Sequence, residues 1–247
     1  MIVDDSTVTE YGNLVGERGR VLTVAQIVHD AAPNQKSGTF IADADYGPAG
    51  HDNFPQLSCL LYTDYGSLEI YALNIRTIEK VLRVIFRAPR TLEARAVLMG
   101  ISDALRAVFY ARLVMRSAPG GAPLIKKYTD CCTMSNGVMV LDYESLLRKS
   151  FSGVQKAERD GWSEGRLYQR YLQLVQTELD DPRKEMSGHD LSPLIVRYLK
   201  STAPQVFKED RKGFEDRDTL ERALLSSVEF VDISNEPLFE QLLSRVA

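Results

Sequence analysis

Short apolar runs and stretches with a helical period alternate along the first part of the chain. Apolar positions recur with a helical period over Val21–Ala31 and predict a helix there. The runs Thr39–Ala42 and Leu57–Tyr62 are short and mostly apolar, which is typical of buried strands. Ser67 is suited to cap a further helix that extends to about Phe86. Strands separated by helices predict an α/β fold with a partly parallel sheet and flanking helices.

The helical period dominates the rest of the chain. One long helix is predicted over Thr91–Met115, and the proline- and glycine-rich stretch Ala118–Pro123 after it is the best candidate for a linker. We therefore predict an α/β domain over residues 1–117 and a mainly helical domain over residues 118–247. The second domain is predicted to contain a strand at Val138–Leu141. Its helices are predicted over Tyr143–Phe151, Glu164–Leu179, Leu191–Lys200, Thr219–Val228 and Pro237–Val246.

The composition is that of an ordinary globular protein. Of 247 residues, 44% are hydrophobic and 26% are charged. A net charge of −4 gives no general attraction to nucleic acid, so such a partner would need a local basic patch. Three cysteines without a Cys-x-x-Cys spacing argue against zinc and suit a reducing cytoplasm. An acidic N-terminus and charges within the most apolar window predict a cytoplasmic protein with no signal peptide and no membrane partner. A homo-oligomer is left open.

Two aspartates, Asp43 and Asp45, follow the first predicted strand and are separated by one residue. Side chains alternate along a strand, so both carboxylates should face the same side, roughly 6–7 Å apart. At that separation they repel by about 3 kcal/mol for an effective dielectric constant of about 20. The pair is therefore either solvated, as when an aspartate caps a loop, or neutralised by a hard divalent cation such as Mg²⁺.

A second pair of acidic residues follows the second predicted strand. Asp64 lies just past the strand end, and Glu69 lies on the first turn of the next helix, where the helix dipole alone would favour a carboxylate. Ligands of open α/β sheets bind beyond the carboxyl ends of the strands, so Asp64 and Glu69 are predicted to share a crevice with the first pair. Converging carboxylates favour Mg²⁺ or Mn²⁺, held by Asp43, Asp45 and Asp64, and a phosphoryl-transfer reaction.

Other candidates have ordinary explanations as well. His189 is either an acid–base group or a loop residue, with Asp190 or Ser192 as the N-cap of the next helix. The segment Gly16–Arg20 is either a turn or a phosphate-binding loop. Arginines of the middle helices are either salt-bridged or, if several share a face, suited to a phosphodiester backbone. They are Arg83, Arg87, Arg90, Arg95, Arg106, Arg112 and Arg116.

The acidic motifs resemble those of Toprim-like domains found beside OLD-type and ABC-type ATPases. That family commonly has Asp-x-Asp-(Phe/Tyr), followed by Thr-Asp-x-x-(Ser/Asp)-(Leu/Ile)-Glu. The matching residues are Asp43, Asp45, Tyr46, Thr63, Asp64, Leu68 and Glu69. The segment Ser187–Leu191 also resembles a Gly-His-Asp segment in the helical part of the family.

The resemblance implies a Toprim-like nuclease with a helical C-terminal domain. Some members of the family are effector nucleases of anti-phage systems of the PARIS kind. By that likeness the chain would cut DNA or RNA with Mg²⁺ or Mn²⁺, next to an ATPase partner of the OLD or ABC type. Its catalytic residues would be Asp43, Asp45, Asp64, Glu69 and His189.

One feature of the family is not seen in this sequence. Toprim domains open with a strand that bears a Glu-Gly pair, and no such element precedes residue 16. Glu10 or Glu17 would be the available substitutes. The expectations are a truncated chain, a misassigned start, or a degenerate member of the family. The alternative function is therefore a catalytically inactive Toprim-like subunit that binds or regulates.

Overall fold

The computed structural model describes residues 17–33, 38–52, 54–118, 121–154, 161–176 and 179–246. Within these ranges the strands are β1 (Phe40–Ala42), β2 (Leu60–Tyr62), β3 (Cys132–Ser135) and β4 (Val138–Leu141). The α-helices are α1 (Glu17–Ala31), α2 (Ile75–Lys80), α3 (Ala94–Ser117), α4 (Tyr143–Ser152), α5 (Glu164–Leu174), α6 (Gly188–Thr202), α7 (Arg217–Ser227), α8 (Phe230–Ile233) and α9 (Pro237–Val246). Short 3₁₀ or π segments lie at Leu68–Ala72, Val81–Ile85, Tyr128–Cys131, Pro182–Glu185, Pro204–Val206 and Glu209–Glu215.

The mixed α/β class is confirmed, with a small parallel sheet. β1 and β2 pair in parallel, with Phe40 opposite Leu60 and Ala42 opposite Tyr62. α1 packs on this pair, and its Ala25 is buried in a small apolar cluster with the strand residues. In the part of the chain that the structure describes, this sheet has two strands, so a wider Toprim-type sheet stays a prediction.

The long helix α3 is the centre of the main core. Its residues Val97, Ile101, Leu105 and Val108 recur at helical spacing, and all four are fully buried. α3 packs against α4, α5 and α6, and against β4. One continuous buried cluster includes residues on both sides of the predicted boundary at residues 117 and 118. The two predicted domains therefore share a core.

Most predicted elements of the helical part are confirmed. α4 and α7 match their predicted ranges to within two residues, and α9 matches its range fully. The strand at Val138–Leu141 is also confirmed, but it pairs with β3 as an antiparallel hairpin that the analysis of periodicity missed. Asn136 and Gly137 form its turn, both with positive φ angles of 50° and 80°. The Asn-Gly dipeptide is a hairpin signal that was present in the sequence.

Two predicted elements are wrong in form. The helix predicted from Ser67 to Phe86 is divided into a 3₁₀ segment, α2 and a π segment. The division occurs at Asn74, whose side chain accepts a hydrogen bond from the Thr77 N–H at 2.9 Å and starts α2 as its N-cap. The turn predicted at Gly16–Arg20 is also wrong over residues 17–20, which form the first turn of α1. Gly16 lies outside the described residues.

The contact between α3 and α6 gives a test of the core. A Cβ on Gly100 would overlap the ring of Tyr198 and lie 3.0 Å from the carbonyl oxygen of Gly137. We expect Gly100→Ala to lower the free energy of unfolding by about 1–3 kcal/mol, because overpacking forces the core to shift. Thermal or denaturant unfolding measures the change.

The matched control is a helical glycine in open space. The nearest atom to a Cβ on Gly165 of α5 is the Ser163 hydroxyl oxygen, at 3.9 Å. Gly165→Ala should therefore leave stability unchanged or raise it by about 0.5–1 kcal/mol. Equal effects of both substitutions would contradict the predicted packing of α3 on α6.

Candidate functional site

Asp43 and Asp45 both lie beyond the end of β1. β1 ends at Ala42, and Asp45 adopts a positive φ of 41°, so the strand alternation predicted for this pair does not extend through it. The Asp45 N–H donates to the carbonyl oxygen of Gly66 at 2.8 Å. This bond joins the loops that follow β1 and β2, as expected where parallel strands end at one edge.

Asp45 is neutralised by a side chain. Its carboxylate forms a short ion pair with the Arg18 guanidinium of α1. The same guanidinium lies 4.3 Å from the ring centre of Phe54. The charge that was predicted to attract a cation is therefore balanced by an arginine in this conformation.

Among the described residues, Asp43 has no such cationic partner. Its Oδ1 accepts one hydrogen bond from the Leu68 N–H, at 3.3 Å. Burial raises the pKa of the Asp43 carboxyl, and the nearby Glu69 carboxylate raises it further. Asp43 is thus a partly buried carboxyl group whose ionised form lowers the stability of the folded protein.

Asp64 has a structural role in this conformation. Its carboxylate accepts a hydrogen bond from the Tyr71 hydroxyl at 2.7 Å. Both of its oxygens also accept from the Leu238 N–H at 3.1 Å, in the first turn of α9. A carboxylate at a helix N-terminus satisfies free N–H groups and the helix dipole. The role of Asp64 as a metal ligand stays a prediction.

Glu69, His189 and Glu221 meet although they come from distant parts of the chain. One ligand atom from each lies within 4.8 Å of the others. The His189 Nδ1 lies 4.0 Å from Glu69 Oε1, and Glu69 Oε2 is buried without a hydrogen-bond partner among the described residues. Burial and the Glu69 charge raise the pKa of Glu221. The structure therefore brings His189, from the start of α6, beside Glu69.

Glu221 was missed by the sequence analysis. It lies on α7, in a helix that was predicted, and its neighbours along the chain carry charges typical of a solvated helix face. Nothing in its spacing separates it from an ordinary surface glutamate. Only the packing of α7 beside α6 and the 3₁₀ segment at Leu68–Ala72 brings it to Glu69.

The N-terminus of α6 lies against the loop after β2. A Cβ on Gly188 would overlap the Ser67 hydroxyl and lie 2.6 Å from the Cβ of Glu69. A glycine is therefore required for this approach. The N-cap of α6 is Ser187, so the prediction of Asp190 or Ser192 as the cap is wrong. Asp190 is fully buried inside the first turn instead.

Three arginines of α3 are salt-bridged, which agrees with the first of the two explanations given for the arginines of the middle helices. Arg112 holds Asp190 through two hydrogen bonds of 2.8 and 2.5 Å. Arg106 contacts Glu185 at 2.6 Å, and Arg116 contacts Asp52 through two bonds. These pairs attach α3 to the segments around it, so a shared face of free arginines is not formed by these three residues.

The donor set suits a hard divalent cation. Glu69 and Glu221 supply carboxylate oxygens, which Mg²⁺ and Mn²⁺ prefer, and His189 adds an imidazole that Mn²⁺ also accepts. Asp43 lies near enough for the Glu69 charge to raise its pKa, so it is a further candidate oxygen ligand. The buried Glu69 Oε2 without a hydrogen-bond partner is the observation that fits a bound ion best. These residues would hold the ion, with Asp45 joining them only if Arg18 moves away.

The cost of the Asp43 charge gives a stability test. Asn keeps the oxygen that accepts from Leu68, so Asp43→Asn should raise the melting temperature at about pH 7. The wild-type pKa is raised on folding, so the penalty is complete above the folded pKa and disappears below the unfolded value. The gain should therefore shrink as the pH falls to about 4 or below. A pH series of melting temperatures measures it, and an Asp43→Asn variant that is less stable at neutral pH would contradict the assignment.

Comparison with known proteins leaves the family as a resemblance. No protein-family model matches the chain, and no curated protein matches it either. Among the helices in the described ranges, none combines the length and the apolar character needed to cross a bilayer.

Proposed function

We propose that the chain is a Toprim-like phosphodiester hydrolase that cuts DNA or RNA with Mg²⁺ or Mn²⁺. By its resemblance, it would act as an anti-phage effector beside an ATPase partner of the OLD or ABC type. The observation that carries the proposal is the convergence of Glu69, His189 and Glu221, with one ligand atom from each within 4.8 Å of the others, next to the partly buried Asp43. Among the described residues, Glu69 Oε2 has no hydrogen-bond partner, while Arg217 lies 3.5 Å from Glu221.

The residues of the chain would have different roles in the reaction. A bound divalent cation would supply Lewis acidity and an activated water, and Asp43 and Glu69 would hold it. His189 is half exposed beside Glu69, so its ring can take or give a proton at an oxygen of the substrate. Arg112 and Arg217 line the adjoining cavity and supply positive charge toward a phosphate.

The proposal predicts a cation-dependent nuclease activity. Purified protein should cut single- or double-stranded nucleic acid with Mn²⁺ or Mg²⁺ and lose that activity in EDTA. Asp43→Ala combined with Asp45→Ala should reduce the rate by about 10²-fold or more, because two candidate ligands are removed. Asp103→Asn is the matched control, since Asp103 is an exposed aspartate on α3. Cleavage that persists unchanged in the double variant would overturn the proposal.

The Arg18 ion pair predicts a gain of cation affinity. Arg18→Ala releases the Asp45 carboxylate, so Mn²⁺ should bind more tightly, by about fivefold, which corresponds to about 1 kcal/mol. Isothermal titration calorimetry measures the change. In Arg18→Ala combined with Asp45→Ala the gain should vanish, since it depends on the released carboxylate. A gain that survives in the double variant would show that Arg18 acts in some other way.

A second candidate function is a catalytically inactive Toprim-like binding or regulatory subunit. The observation that favours it is the use of two predicted ligands elsewhere, Asp45 in the pair with Arg18 and Asp64 at the start of α9. Mn²⁺ titration separates the candidates. Binding that is abolished by Asp43→Asn supports the hydrolase, whereas absence of any Mn²⁺ binding supports the subunit.

A further inference from the structure

The N-terminus of α6 opens onto a cavity of about 190 Å³ beside the acidic group. Ser187, the N-cap of this 15-residue helix, makes no capping hydrogen bond with its side chain. The first N–H groups of a helix lack partners within the helix, and the helix end carries about half a positive charge. An uncapped helix start therefore favours an anion in the cavity.

A buried serine with an unsatisfied hydroxyl group lines the same cavity. Ser67 is 3% exposed and lines it, and its Oγ has no hydrogen-bond partner among the residues described. An unsatisfied buried hydroxyl group costs about 1–3 kcal/mol. A ligand oxygen that accepts from Ser67 would remove this cost. Ser192 on α6 is equally buried and unpartnered but does not line the cavity, so it is not placed to receive such a ligand.

The charges at the cavity favour an anion as well. Arg112 and Arg217 both line it. Arg112 uses Nε and Nη2 to hold Asp190, so Nη1 remains outside that pair. Arg217 lies 3.5 Å from Glu221, and about half of its side chain is exposed. Asp45 is the acidic residue of the lining, and Arg18 neutralises it.

We propose that this cavity binds a terminal phosphate monoester. An internal phosphodiester carries a sugar on each side, so it presents only two free oxygens to the cavity. A monoester presents three free oxygens and carries a charge of about −1.5 to −2 at neutral pH, which matches two arginines and a helix start. The monoester chemistry stands on these contacts alone. Its assignment to the end of a nucleic-acid strand rests on the proposed hydrolase function.

The test compares one short single-stranded oligonucleotide in three forms. It carries a phosphate at its 5′ end, at its 3′ end, or at neither end, and binding is measured by fluorescence anisotropy in EDTA, where no cation-dependent cleavage occurs. We expect one phosphorylated form to bind about tenfold more tightly than the form with two hydroxyl ends. Equal affinity for all three forms overturns the proposal.

Matched variants assign the preference to the cavity. Ser67→Ala and Arg217→Gln should each remove most of it, while Ser192→Ala and Arg222→Gln should retain it. Ser67→Ala removes a hydroxyl group without a partner, so its melting temperature should stay at or above that of the wild type. A preference that survives in both cavity variants overturns the site.

Competitors identify the source of the monoester. Displacement of the phosphorylated oligonucleotide by a nucleoside monophosphate at equal concentration would support the site with a free nucleotide as its ligand. A phosphoserine peptide that binds more tightly than either would overturn the assignment to nucleic acid.

Cleavage of a circular single strand with Mn²⁺ separates this proposal from the hydrolase, since a circle has no end. Cleavage without any end preference overturns the phosphate site alone. An end preference without cleavage overturns the hydrolase alone.

Discussion

The close approach of α6 to the loop after β2 is the contact on which the site depends. Gly188 makes it possible, because a Cβ there would lie 2.6 Å from the Cβ of Glu69. The contact places His189 beside Glu69 and the start of α6 beside the buried Ser67 hydroxyl group. The shared core holds it in place, since the buried residues of α3 and α6 belong to one cluster. A rigid scaffold of this kind is what an arrangement of like charges requires.

The carboxylates near this contact fall into two groups. Asp45, Asp64 and Asp190 have partners that stabilise their charge: an arginine, a helix start and a partly buried arginine. Asp43 and Glu221 have raised pKa values, because burial and the Glu69 charge oppose their ionisation, and for Glu221 they outweigh the effect of Arg217 at 3.5 Å. The first group holds the structure together. The second group costs stability, which is typical of residues kept for binding or catalysis.

Parts of the fold and the site were predictable from the sequence, and the predictions that were wrong have physical explanations. The period of α3 and α7 and the apolar strand at Val138–Leu141 are local signals, and they were interpreted correctly. The break at Asn74 was missed because the apolar period continues through it. Only the hydrogen bonds of the Asn74 side chain, which cap α2, interrupt the helix there. The prediction that strand alternation sets the directions of Asp43 and Asp45 was wrong because β1 ends at Ala42.

The sequence by itself determined most of the long helices, the acidic residues after β1 and β2, and the glycine before His189. Those features depend on residues within a few positions of one another, where periodicity and capping act. The tertiary structure decided which carboxylates are neutralised, that Glu221 joins Glu69, and that Ser67 lines a cavity. Arg18 reaches Asp45 across 27 positions and Arg112 reaches Asp190 across 78. Charge partners so far apart are chosen by packing, and no local pattern in the chain records them.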